Sequence, residues 1–325
     1  MHKHVILAGA GCSNPEAVLE IGVPVLSSWQ AGDKFDNTHP NYFGRPGVYG
    51  QRAANRILYE ADKVMVIGNR QAIWNVGYEG IPSHKITDHV TPSIGWMDLC
   101  AKWRTQYPLV ESPAHDDTTA YINSYRFVER LQKHFLPDQI IVTDMGAAHI
   151  CANQVLRLKP PQRLISSGGL GEMGCGLPMA IGAAFASKRP VLCMAGDGGM
   201  MMNLQELQTI VHHQLPICII VFNNGGYGMI RHTQNTARMP LVGVNAPTGV
   251  SFPDFRRLAL AFGFTASEIR TWDDFERIIP SALNRGPTLI EYFMDPEQLF
   301  VPKLDPVFVD GKPTSPRFCD LSPLI

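Results

Sequence analysis

At 325 residues, with 45% hydrophobic and 18% charged side chains, the chain is long enough for two packed domains and too apolar to be disordered. A formal net charge of -1, without any dense Lys/Arg stripe, gives no electrostatic footprint for nucleic acid or an anionic membrane, so neither is expected as a partner. The 7 cysteines are scattered without zinc-like spacing, the apolar run after Met1 is too short for a signal peptide, and no stretch approaches the roughly 20 apolar residues of a membrane span, which together indicate a cytoplasmic protein with reduced thiols.

From the N-terminus, Val5–Ala8, Val23–Leu26, Val64–Ile67 and Lys85–Thr87 predict strands separated by connections long enough for crossovers, the signature of a parallel α/β sheet. Gly9-Ala10-Gly11 follows the first strand like the opening of a dinucleotide fingerprint, but Asn14 stands where the third glycine belongs, so the match to an NAD site is weak. Residues 108–120 are polar and proline-marked. They separate a first domain, residues 1–110, from a second, residues 121–325, with residues 111–120 as linker. The second begins with a helix near Ile122–His134 and continues with strands at Gln139–Thr143, Val191–Ala195, Ile217–Phe222 and Thr288–Tyr292. The expected fold is α/β, with two Rossmann-like parallel-sheet domains. The tail from Asp295 has no periodicity and is expected to run extended over the surface, where it can close over a site.

The chemistry concentrates in one strand-helix-strand unit. The strand Val191–Ala195 stops at Gly196-Asp197-Gly198-Gly199, where glycine permits a sharp turn and close approach to a ligand. Asn203 and Glu206 have capping-box spacing, Leu204, Leu207, Ile210 and Val211 form an apolar helix face, and Pro216 precedes the next strand, which ends at Asn223-Asn224-Gly225-Gly226. Ligands of such sheets bind outside the carboxyl ends of the strands, so Asp197 and Asn224 can face one crevice. A carboxylate, an amide oxygen and backbone carbonyls are hard donors suited to Mg2+ carrying phosphate oxygens. The Gly198-Gly199 amides and a helix starting near Tyr227 would take the remaining charge.

Gly-Asp-Gly followed by a double asparagine after 24 intervening residues resembles the pattern of thiamine-diphosphate (ThDP) enzymes, and the wider match is similar to the acetolactate synthase (acetohydroxyacid synthase) large-subunit branch. The segment from Ser166 to Ala186, then Gly196–Leu207 and Gly225–Gln234, carry the likeness. It implies ThDP and Mg2+ as cofactors, with Asp197, Asn224 and the Gly226 carbonyl on the metal. It also implies a Gly171 carbonyl meeting the 4'-amino group of the cofactor, and a Met173 that bends the cofactor into its reactive shape. Gly146, His149, Gly196, Gly198, Gly199, Tyr227, Gly228 and Met229 complete the implied cofactor site.

Residues 41–70 resemble the central domain of the same family, where some members bind flavin, so FAD is a doubtful further cofactor; Val48-Tyr49 stand in place of a Met-His pair of the flavin loop, which weakens the case for branched-chain amino-acid synthesis. The likeness places Arg70 near the substrate. Other departures are Thr233 in place of a substrate-selecting tryptophan and Ala147-Ala148 in place of a Gln-His pair that helps hold the diphosphate, for which His149 can compensate. The run Asn223–Gln234 with the Asp310-Gly311-Lys312-Pro313 tail looks closer to relatives that add an acyl group to a ketone or aldehyde, with Arg231 and His232 as contacts to acceptor or phosphate. No segment resembles the pyrimidine-binding domain whose glutamate activates the cofactor. The expectation is therefore a split enzyme, or a truncated gene product, of carboligase type acting on a 2-oxo acid such as pyruvate, oligomeric, with a pyrimidine-domain partner subunit. A 2-oxo acid decarboxylase subunit and a non-catalytic ThDP-binding or assembly protein are the alternatives.

Overall fold

The computed structural model describes residues 2–309 and 312–324, so Asp310-Gly311 of the tail motif lies outside the described residues. Two compact units are present. One comprises the described residues of Met1–Ala114, Arg157–Pro160 and Phe300–Ile325, the other His115–Leu156 and Pro161–Leu299.

The first unit runs β1 (His4–Ala8), α1 (Pro15–Leu19), β2 (Val25–Ser27), α2 (Arg52–Glu60), β3 (Lys63–Ile67), α3 (Ile73–Val76), β4 (Ile86–Thr87) and α4 (Ile94–Gln106). Its strands lie in the order β2-β1-β3-β4, all parallel. In β1, Val5 and Leu7 enter one core with Ile57 and Trp96, while Ile6 and Ala8 enter another with Val18 and Phe35. A strand apolar on both faces is what a sheet covered on both sides requires. Gly9 packs against backbone rather than leaving a phosphate cradle: a Cβ there would lie 2.2 Å from the Gly68 carbonyl oxygen. The described residues of 300–325, expected to continue the second domain, belong instead to this unit. Arg52, buried and paired with Glu111 at 2.6 Å, donates from Nη1 to the Leu321 carbonyl at 2.6 Å, and Asn55 Nδ2 donates to the Phe318 carbonyl at 2.8 Å. Val307–Val309 pairs antiparallel with Lys312–Thr314.

The second unit runs α5 (Ser124–Leu131), β5 (Ile140–Thr143), α6 (Ala147–Val155), β6 (Arg163–Ser166), α7 (Gly176–Ser187), β7 (Val191–Gly196), α8 (Asp197–Met200), α9 (Glu206–His212), β8 (Ile217–Asn223), α10 (Gly228–Thr236), α11 (Phe255–Phe262), β9 (Thr265–Ile269), α12 (Trp272–Ala282) and β10 (Thr288–Phe293). Six parallel strands take the order β6-β5-β7-β8-β10-β9. One face packs Val142, Cys193, Ile219 and Leu289 against Leu177, Leu207 and Phe255. The other carries an aromatic cluster in which Phe127 stacks on Tyr292 at 3.9 Å and meets Phe222 and Phe275 edge-on. The chain leaves β5 for β6 on one side and then crosses back to β7 on the other. The connections thus diverge between β5 and β7, which opens a crevice at the carboxyl ends of these strands.

Two strands not expected from the sequence, β6 and β9, are the two edges of this sheet. With one neighbour each and mixed composition, Arg163-Leu164-Ile165-Ser166 and Thr265-Ala266-Ser267-Glu268-Ile269 have no continuous apolar run to reveal them. The Asn203–Glu206 capping box is not formed. Asn203 Nδ2 donates to the Gly174 carbonyl at 2.7 Å, and α9 starts at Glu206 with Gln205 as its N-cap and no side-chain cap bond. Among the described residues no helix is long and apolar enough to cross a membrane.

Candidate active site

Three strand ends of the second unit converge on one cleft. Strand β7 feeds directly into α8 at Asp197, β8 ends at Asn223 before the Asn224–Gly226 turn, and β5 ends before Asp144 and Met145. The cleft is lined by Gly146, Met173, Gly196, Asp197, Gly198 and Gly199 together with Asn224, Gly226, Tyr227, Gly228 and Met229. Helices α6 and α10 both begin at this rim, with Gly146 and Tyr227 as their N-caps, so the positive ends of two helix dipoles border it.

Asp197 is 2% exposed. Its Oδ1 accepts from the Gly198 amide at 2.7 Å, and its Oδ2 accepts from the amides of Gly226 at 3.0 Å and Asn224 at 3.2 Å. Burial pushes the carboxyl up to about 6, and those amides oppose the rise. Asn224 is 7% exposed, and its Oδ1 is buried without a hydrogen-bond partner among the described residues. An unmet buried acceptor is costly, and it stands here in the same cleft as a desolvated carboxylate. This donor set fits a hard divalent cation, whose charge would also keep Asp197 ionised.

The C-terminal TPP binding domain of thiamine pyrophosphate enzymes matches residues 144–292, and their central domain matches residues 2–90. The chain belongs to the thiamine pyrophosphate enzymes. It is 30% identical over 346 residues to the acetolactate synthase isozyme 1 large subunit of Escherichia coli, an alignment covering 94% of this chain and 60% of that protein. It is 28% identical to the isozyme 2 large subunit of the same bacterium, covering 90% of this chain and 60% of that protein. To a probable acetolactate synthase large subunit of Methanocaldococcus jannaschii it is 29% identical, covering 98% of this chain and 64% of that protein. The chain thus spans about 60% of the length of these relatives.

Thiamine pyrophosphate is thiamine diphosphate, and its anionic end suits the amide-rich, helix-bordered part of the cleft. Two residues of the expected cofactor site are not among those lining this cleft. His149 is buried within α6, its Nδ1 3.1 Å from Thr143 Oγ1, and does not line the cleft. Gly171 is exposed beside it, with φ at +85° and its amide donating to the Ser167 carbonyl at 2.8 Å.

Of the residues expected to meet substrate, Arg231 is buried in α10. Its Nη1 donates to the Pro296 carbonyl and lies 3.3 Å from a Glu297 carboxylate oxygen. His232 is half-buried on the same helix. Arg70 is exposed in the first unit, between β3 and α3.

Asp144 escaped the sequence reading. It is 1% exposed and pushed up by burial, and it accepts from the Gly174 amide at 2.9 and 3.0 Å and from the Met145 amide at 2.9 Å. It stands just past the end of β5, as Asp197 stands just past the end of β7. The strand-end rule that selected Asp197 would have selected it too.

Proposed function

We propose that the chain is the diphosphate- and metal-binding part of a ThDP/Mg2+ carboligase that decarboxylates a 2-oxo acid such as pyruvate and transfers the acyl group to a carbonyl acceptor. The observation that carries the metal assignment is the partnerless Asn224 Oδ1 in the cleft that also contains Asp197. Asp197, Asn224 and the Gly226 carbonyl hold Mg2+, and the metal with the amides at the starts of α6 and α10 holds the diphosphate. Gly171 and Met173 position the pyrimidine ring. When bound, ThDP supplies through its thiazolium carbon the nucleophile and electron sink that decarboxylation needs.

Among the described residues lining the cleft Asp197 is the only carboxylate, and it is committed to the metal. None of these lining residues supplies the glutamate that activates the pyrimidine, and the reading takes that glutamate from a pyrimidine-binding domain on a partner polypeptide. The named relatives, all acetolactate synthase subunits, support acyl transfer over proton capture as the fate of the acyl group.

The test is pyruvate consumption with ThDP and Mg2+, by the chain alone and with a pyrimidine-domain polypeptide. Turnover only in the mixture, with acyloin-type products, supports the reading. Free aldehyde as sole product makes the chain a decarboxylase subunit, and no turnover in either mixture despite cofactor binding makes it a binding protein. Asp197→Ala is expected to abolish Mg2+-dependent ThDP binding; retained binding refutes the metal assignment.

A further inference from the structure

The two asparagines at the end of β8 have different surroundings. Asn224 presents a partnerless oxygen to the cleft, whereas the Asn223 side chain is held at both ends. Its Nδ2 donates to Glu291 Oε1 at 2.6 Å, and its Oδ1 accepts from the Gly225 amide at 2.8 Å. Its backbone is fixed too, the carbonyl accepting from the Met294 amide at 3.0 Å.

Glu291 is a strange residue to find in the middle of a sheet. It lies on β10, register-paired with Val221 of β8, and is 2% exposed. Burying a carboxylate is expensive unless its oxygens are satisfied. Both are: Oε1 by Asn223 and Oε2 by the Arg256 amide at 3.1 Å, at the first turn of α11. No lysine, arginine or histidine side chain is recorded within ion-pair distance of it among the described residues, so this is no structural salt bridge.

We propose that Glu291 is a positioning residue for the metal-binding turn, acting through Asn223. The chain of contacts runs from the Glu291 carboxylate to the Asn223 amide group, from the Asn223 oxygen to the Gly225 amide, and so to the turn that carries Asn224 and Gly226. Gly225 sits at φ +66°, in the left-handed region, and its amide shares one peptide plane with the Asn224 carbonyl, so the bond from Asn223 Oδ1 holds that plane of the turn between Asn224 and Gly226. Orienting the Asn223 amide with a carboxylate decides which of its atoms faces Gly225: only the oxygen can accept from that N–H, and the carboxylate, an acceptor, compels the nitrogen to face the other way. The inference rests on the reading of Asp197, Asn224 and Gly226 as metal ligands. Outer partners of metal ligands typically alter affinity 10- to 100-fold when removed.

The test combines Mg2+ titration of the full chain in the presence of ThDP, by calorimetry, with exchange rates of the Gly225 and Gly226 amides in the cofactor-free chain. Glu291→Ala and Asn223→Ala are each expected to weaken Mg2+ roughly 10- to 100-fold, and the double variant no further, because both break one relay. Glu291→Gln, which keeps an acceptor for Asn223, is expected to restore most of the affinity. Losses that add in the double variant, or Mg2+ affinity unchanged in Glu291→Ala, would overturn the proposal. If the parent chain takes up no Mg2+, the metal reading fails by itself, and the amides then decide: faster Gly225 exchange in Glu291→Ala upholds the relay, and unchanged exchange refutes it.

Discussion

A side chain at Gly199 would place its Cβ 2.0 Å from Oδ2 of Asp144, so the glycine turn at the head of α8 is closed against a carboxylate from the end of the neighbouring strand. The same carboxylate receives the Gly174 amide, which ties the loop carrying Gly171 and Met173 to that turn. Gly199→Ala must displace Asp144 and with it the Gly174 loop. The expected cost is about 1–3 kcal/mol, read as a lower urea midpoint at unchanged slope, with ThDP affinity reduced at least tenfold. A variant matching the parent in both would show that the turn can move independently of Asp144.

Asn224→Ala and Asn223→Ala should separate cleanly in the cofactor-free chain. Asn224 Oδ1 has no hydrogen-bond partner among the described residues, so its removal relieves an unmet acceptor, and stability should stay level or rise while the stabilisation by Mg2+ with ThDP disappears. Asn223 bonds Glu291 and Gly225, so its removal leaves both unmet and should cost about 1–3 kcal/mol before any ligand is added. Melting curves with and without Mg2+ and ThDP make the comparison. Equal losses in the two metal-free variants would contradict it.

These distinctions mark the limit of what the sequence discloses. The central strands β1, β7 and β8 were legible because a strand buried on both faces must be continuously apolar, as Val191–Ala195 and Ile217–Phe222 are. The edge strands β6 and β9 face fewer neighbours and need no such run. Asp197 and Asn224 were legible through their spacing and strand ends. Asp144 was open to the same strand-end rule, whereas Glu291 was not, because a lone carboxylate within an apolar strand gives no local sign of which distant amides it will meet. Arg231 was read as facing a ligand, and only the fold reveals that the carbonyl of Pro296 is within its reach.

That contact gives Arg231 a measurable structural role. Its ion pair with Glu297 is worth little, since the Glu297 side chain is 75% exposed, but the bond to the Pro296 carbonyl and the burial of the stem are intrinsic to the fold. Arg231→Ala is expected to lower the stability of the cofactor-free chain by about 1.5–3 kcal/mol, with Arg231→Lys intermediate, by urea titration. An arginine that served only to meet acceptor or phosphate would leave that stability unchanged.

His149 sets the last expectation, and its sign differs from that of the buried carboxylates. Burial against Thr143 and Asn153 holds the imidazole down to about 4, against an ordinary value of 6.5. Between those limits the unfolded chain binds a proton that the folded chain refuses. Stability from this group is therefore complete above pH 6.5 and is lost as pH falls towards 4, by up to about 3 kcal/mol. Asp197, pushed up to about 6 from 3.8, does the reverse in the metal-free chain: the folded form keeps a proton that the unfolded form releases, so stability falls as pH rises from about 4 to 6. The two slopes oppose each other over nearly the same window, and the parent should show a shallow dependence. His149→Asn removes one slope and Asp197→Asn the other. Urea midpoints from pH 4 to 7 should therefore tilt in opposite directions, falling with pH in His149→Asn and rising with pH in Asp197→Asn, relative to the parent. Parallel curves for the parent and His149→Asn would mean that the folded chain accepts the proton at His149, and would remove burial as the cause of its neutrality.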